Sequence, residues 1–215
     1  AVELVKRLGK VNESGTQIEI ARQLPVPMWE SATLMAEMAH QLSLAGAHGQ
    51  AEEFARAALL LNPRHPSTLS VLARLEEFFG RMDQAAEYAE RCLEILPDDP
   101  GTHWLLSRLR QPGGAKRIDR IEAAISRTQD PTALASLGYA LHNELHELKE
   151  YPRSWDALML GCRNKLATMR YQSADTAPLF QSLQEWSPAE ASQFDGWTDP
   201  LLRPIFVVGL HRSGT

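Results

Sequence analysis

Apolar residues recur at three- and four-residue intervals through most of the chain. Met35, Met38, Ala39 and Leu42 form one such stripe, and Ala51, Phe54, Ala55 and Ala58 form the next. This period places each set on one face of an α-helix, with polar residues on the other face. Gly46 falls between the stripes, where a short turn with positive φ is expected. The pattern therefore predicts a pair of amphipathic helices joined by a glycine turn.

The pair repeats. Gly46, Gly80 and Gly114 are spaced 34 residues apart, and so are Pro63, Pro97 and Pro131, and Ala55, Ala89 and Ala123. The alanines let two helix backbones approach closely. Each proline ends a second helix or opens the next, because it lacks the amide a helix needs. One period shared by three columns marks a repeat array, in which stacked pairs bury a continuous core.

On these residues the sequence resembles the tetratricopeptide repeat family. The unit from Ala32 to His65 carries Met38-Ala39, Gly46, Ala51, Ala58 and Pro63. The unit from Pro66 to Asp99 carries Leu72-Ala73, Gly80, Ala85, Cys92 and Pro97. A third, from Pro100 to Ala133, is degenerate: Asp119 and Ser126 replace small apolar residues, and its turn reads Gln111-Pro112-Gly113-Gly114. A fourth begins near Pro131 with Leu137-Gly138 in the signature positions. It is about one helical turn longer ahead of Tyr151-Pro152, and its second helix runs through Trp155, Leu158 and Leu166. The expected fold is all-α, a superhelix of helix-turn-helix repeats. Residues 1–28 form a worn helical cap, 29–170 about four repeats, 171–203 a connector with short helices near Leu179–Trp186 and Pro188–Phe194, and 204–215 the stub of another domain.

In such an array the first helix of each pair lines the concave side. One groove-facing column reads His40, Arg74, Arg108, with Trp104 nearby. A cationic stripe beside an aromatic suits an extended acidic peptide. The competing expectation is that Arg74 and Arg108 pair with local carboxylates such as Glu76, Glu77 or Asp119. Ala36 and Ser70 stand where the chaperone-tail-binding members of the family carry lysine, which argues against that partner. A protein or peptide in the groove is the expected partner, and self-association is a further possibility.

His142 and His146 lie four apart on one helical face, a spacing that can chelate a metal. Asn143 stands where a zinc protease needs glutamate, and no third ligand is apparent, so no metal is expected.

The texture changes after Arg170. Pro204-Ile205-Phe206-Val207-Val208 reads as a short buried strand, followed at once by Gly209-Leu210-His211-Arg212-Ser213-Gly214-Thr215. Glycines there let backbone amides converge on an anion. Thr215 occupies the lysine position of an ATPase loop, so that chemistry is disfavoured. The segment is similar to the 5′-phosphosulfate loop of sulfotransferases, repeat-fused bacterial and tyrosylprotein types above all, with His211 in place of their usual proline. The resemblance implies that Gly209, Arg212, Ser213, Gly214 and Thr215 would help hold 3′-phosphoadenosine 5′-phosphosulfate (PAPS) at the start of an α/β P-loop-like domain. The expected parent protein is then a transferase moving a sulfuryl group to a hydroxyl acceptor, and the 215 residues themselves are expected to be inactive. The alternatives are a stand-alone repeat adaptor and a transferase or kinase with a variant phosphate loop.

Composition alters this picture little. A net charge of −5 supplies no general reason to bind nucleic acid or an anionic membrane. The 44% hydrophobic content suffices for a core, and no apolar run approaches a membrane span. Cys92 and Cys162 make no metal or disulfide pattern and are expected to be buried thiols. A reducing, cytoplasmic setting is the expectation. Ala1 and the lack of a signal-peptide pattern suggest a cut or processed end.

Overall fold

A computed structural model describes residues 2–10, 13–23, 30–109, 114–169 and 173–185. Among these residues there are eleven helices and no strand. The chain divides into two units, Ala1–Met169 and Arg170–Thr215. The first contains α1 (Val2–Lys10), α2 (Ser14–Arg22), α3 (Ala32–Leu44), α4 (His48–Leu61), α5 (Pro66–Phe78), α6 (Met82–Ile95), α7 (Pro100–Arg108), α8 (Gly114–Arg127), α9 (Pro131–Glu147) and α10 (Tyr151–Thr168). The second contains α11 (Ser173–Glu185), with Pro178 inside it and Phe180 exposed. The strand and anion loop expected at 204–215, and the short helix expected at Pro188–Phe194, lie outside the described residues.

Local chemistry sets the helix starts. Ser31, Asp99 and Asp130 cap α3, α7 and α9 by accepting the backbone N–H of Leu34, Thr102 and Ala133 at 3.4, 2.7 and 2.8 Å. Pro66, Pro100 and Pro131 open α5, α7 and α9, where the missing amide costs nothing. The proline column is thus split in role: Pro63 and Pro97 lie in the turns after α4 and α6, whereas Pro131 is itself the first residue of α9.

The turns share one geometry. Ala47 N–H donates to Leu42 O at 2.9 Å, Arg81 N–H to Glu76 O at 2.8 Å and Glu150 N–H to Leu145 O at 2.9 Å. This six-to-one closure needs a left-handed residue just past the helix. Gly46 (φ 81°) and Gly80 (φ 77°) supply it in two turns, and Lys149 (φ 61°) supplies it in the fourth pair without being glycine. The turn of that pair is Leu148–Glu150; Tyr151 and Pro152 already belong to α10. With 17 residues against 13 in α3 and α5, α9 has the extra turn expected from the sequence.

Each first helix packs on its own second helix in the pairs α3–α4, α5–α6 and α9–α10, and successive first helices pack side by side. The core follows. Met38, Leu42, Ala51, Ala55, Leu72 and Leu75 form one cluster, Ala85, Ala89, Leu93, Leu105 and Leu106 a second, and Ile118, Ile121, Leu137, Ala140 and Leu145 a third. The third pair departs from this plan. Pro112 follows α7, which has only nine residues, and both α7 and α8 make their extensive packing against α9. Asp119 and Ser126, at the positions of the usual small apolar residues, are exposed, and α8 buries Ile118, Ile121 and Ala124 instead.

The tightest helix contact joins α9 to α10. A Cβ on Gly138 would stand 2.6 Å from Gly161 N and 2.8 Å from Gly161 Cα, so only glycine permits this approach. Beyond it, Trp155 (61% exposed) and Leu166 on α10, and Met169 just past its end, are exposed.

Candidate functional site

The first helices present one basic position per repeat: Lys6 on α1, His40 on α3, Arg74 on α5 and Arg108 on α7, each 34 residues from the last. The sequence column does not include Lys6, because residues 1–28 read only as a worn cap; the same 34-residue step reaches it. Stepping instead from the positive-φ residues Gly114 and Lys149, which are 35 apart, the next position is Asn143. Asn143 donates from Nδ2 to Ser107 Oγ at 3.0 Å, linking α9 to α7.

These residues meet different fates. Lys6 Nζ lies 3.1 Å from Glu37 Oε1. Arg108 donates from Nη2 to Glu77 Oε2 at 2.9 Å, and its guanidinium carbon sits 4.9 Å from the centre of the Trp104 ring. That ring lies 6.4 Å from Tyr139. The local pairing weighed for Arg108 therefore occurs, with Glu77.

Arg74 differs. It donates to Ser70 O at 3.3 Å and Ser70 Oγ at 3.2 Å on its own helix, and no ion pair to it exists among the described residues. Glu76, one of the acids considered for it, is instead buried in a network with Arg56 and Arg81. Arg74 and His40 line a cavity of about 270 Å³ with Ala36, Glu37, Ser67 and Asp99. Solvent reaches Arg74, yet protein walls it on several sides. That enclosure lowers its pKa from the usual arginine value, against the pull of Asp99. Burial, and then the charge of Arg74, lower the pKa of His40, so the imidazole is neutral at pH 7.

The two acids beside the cavity are already engaged. Asp99 spends Oδ2 on the Thr102 N–H at the start of α7. Burial acts to raise the Glu37 pKa, but hydrogen bonds from Lys6 and Gln41 outweigh it and the net shift is downward. The cavity thus offers one guanidinium, a neutral imidazole and the hydroxyls of Thr33, Ser67 and Ser70. This set can hold a small anionic group; the Thr33 hydroxyl is itself engaged, 3.3 Å from His65 Nε2.

The remaining candidates are structural. His142 Nδ1 lies 2.8 Å from Ser154 Oγ and 3.1 Å from Ser154 O, tying α9 to α10, and the His146 ring sits 5.6 Å from Tyr151. Among the described residues no group of three metal-ligating side chains occurs. Cys92 is buried, and burial raises its pKa. Cys162 corrects the expectation of two buried thiols: it lies on the exposed side of α10, because Ser154, Ala157 and Gly161 take the face toward α9. Among the described residues no helix is long and apolar enough to cross a membrane. Gly209, Arg212, Ser213, Gly214 and Thr215 lie outside the described residues.

Helix pairs closed by equivalent turns, with first helices side by side, define a repeat fold of the tetratricopeptide type. No family model matches the sequence. A protein of Aquifex aeolicus (strain VF5) described only as uncharacterized is 29% identical over 82 residues, which is 38% of this chain and 11% of that protein. The solved structure of Podosopora anserina nearly identical TPR-like repeats, described as those of a kinesin light chain, matches with a TM-score of 0.57 at 17% identity. It covers 79% of this chain and 95% of that one. At such identity the likeness is one of fold.

Proposed function

We propose that the repeat unit is a protein-interaction scaffold that holds an extended polypeptide along the groove formed by α3, α5 and α7. The observation carrying this reading is the cavity of about 270 Å³ lined by the neighbouring first helices α3 and α5 and by Cys92, Leu96 and Asp99 near the end of α6. Three of its lining residues (Ala36, Ser67, Ser70) are small, leaving room for a backbone and short side chains. The test is selection of a random displayed-peptide library on the folded chain and on a Ser67→Trp variant that fills the cavity. Peptides chosen by the wild type should bind the variant at least about tenfold more weakly, a loss of roughly 1.4 kcal/mol. Equal binding to both would place the peptides elsewhere and sink the reading.

We also propose a second function, for a parent protein in which a catalytic domain would follow these residues. The run Pro204–Val208 followed by Gly209 to Thr215 supports a PAPS-dependent sulfotransferase in which the scaffold recruits or orients a hydroxyl acceptor. Arg212 would neutralise charge on the transferring group, the part a preorganised cation plays. Adenosine 3′,5′-bisphosphate should then raise the thermal midpoint of the parent protein saturably, and Arg212→Ala should abolish the rise. No rise in a folded parent protein removes this reading and leaves an adaptor.

A further inference from the structure

We infer that Arg74 is the subsite for one carboxylate side chain of the polypeptide held in the groove, an inference that rests on the scaffold reading above. The argument comes from the repeat register. Arg108 is neutralised by Glu77, 31 residues earlier on the preceding first helix. One repeat back, the residue equivalent to Arg108 is Arg74, and the residue equivalent to Glu77 is Ser43. The same position of the same fold thus carries a carboxylate at one interface and a hydroxyl at the other. The Ser43 hydroxyl lies 3.5 Å from His48 Nδ1, on the α4 side of its own pair.

Arg74 therefore keeps a guanidinium whose bonds go only to Ser70, in a cavity large enough for a ligand side chain. Arginine's planar fork matches a carboxylate with two parallel hydrogen bonds, and partial enclosure strengthens them relative to open water. The next column residue along is His40, which is neutral at pH 7, so the site offers one full positive charge. Glu37 and Asp99 flank it, engaged with Lys6 and the α7 N-terminus. A second acidic group beside the first would meet them. The ligand that fits is a single Asp or Glu with uncharged neighbours, not a run of acids.

The experiment compares library selections on the wild type, Arg74→Gln and Ser43→Glu, the last supplying a carboxylate at the position equivalent to Glu77. Wild-type selections should fix one Asp or Glu among neutral residues. A synthetic peptide of that consensus should lose at least tenfold in affinity on Arg74→Gln and on Ser43→Glu. Changing its acid to Asn should cost the same on the wild type and nothing further on Arg74→Gln, the sign of a direct pair. Circular dichroism checks each variant, and should Ser43→Glu misfold, the Arg74→Gln cycle decides alone. Bound peptides without a fixed acid, or with full affinity for Arg74→Gln, overturn the subsite and leave the scaffold standing. If no peptides are selected at all, the scaffold reading falls and the subsite with it.

Discussion

Single residues carry the sharpest consequences of the repeat geometry. Lys149 holds a left-handed conformation that costs a residue with a Cβ about 1–2 kcal/mol, where the first two repeats use glycine. Lys149→Gly should stabilise the chain by up to about 1 kcal/mol in urea unfolding, part of the gain being lost to the freer unfolded chain. Gly138→Ala should act oppositely, costing about 1–3 kcal/mol, because its new methyl meets the backbone of Gly161. Gly161→Ala should cost less, since the nearest obstacle is the Tyr139 ring, which can turn. His103 is buried and donates from Nε2 to Pro97 O at 2.8 Å. Burial lowers its pKa below the usual 6.5, so the folded state favours the neutral ring. Its contribution to stability is present above pH 6.5 and is lost as pH falls through the lowered folded value. The thermal midpoint should drop as pH falls from 7 to 5, and His103→Gln should make that drop shallower.

At the scale of elements, the sequence showed the helix pairs clearly because repeated columns average out local ambiguity. The turn glycines, the small residues Ala55 and Ala89 and the extra turn of α9 were all legible that way. The third pair was legible only as degenerate. That α7 and α8 both turn to α9 could not be read from Asp119 and Ser126, since losing an apolar residue shows where a helix does not pack and not where it does. Lys149 escaped notice for a similar reason: φ depends on the closure of the turn, which a lysine does not advertise. Of the groove residues, His40, Arg74 and Arg108 share a column in sequence, but whether each is paired depends on the neighbouring helix. Glu77 against Ser43 becomes meaningful only once the 31-residue partnership is seen. Caps are a simpler matter. Asp130→Ala should cost about 1 kcal/mol by freeing the Ala133 amide at the start of α9, measurable as a shift in urea midpoint with unchanged slope.

Across the repeat unit, the buried residues fall into separate clusters along the array, so stability should be distributed in the same way. Ile121 is fully buried in the third cluster, and Ile121→Ala should cost about 2–5 kcal/mol. Hydrogen exchange should show the loss in α8, α9 and α10 first, with α3 and α4 retaining their protection. Uniform loss across α3 to α10 would mean that the clusters unfold as one. The ion network of Glu52, Arg56, Glu76 and Arg81 joins α4 to the α5–α6 turn, so those pairs should open together.

The Glu77–Arg108 pair has a consequence for how such an array can be rewritten. Because neighbouring interfaces are near copies, the address of the proposed ligand along the groove would be set by which interface lacks an acid at the Glu77 position. Exchanging the two residues, Ser43→Glu with Glu77→Ser, would silence Arg74 and unmask Arg108 beside Trp104. The bound segment should then slide by one repeat without any change in its own sequence, much as a reading frame shifts when its start is moved.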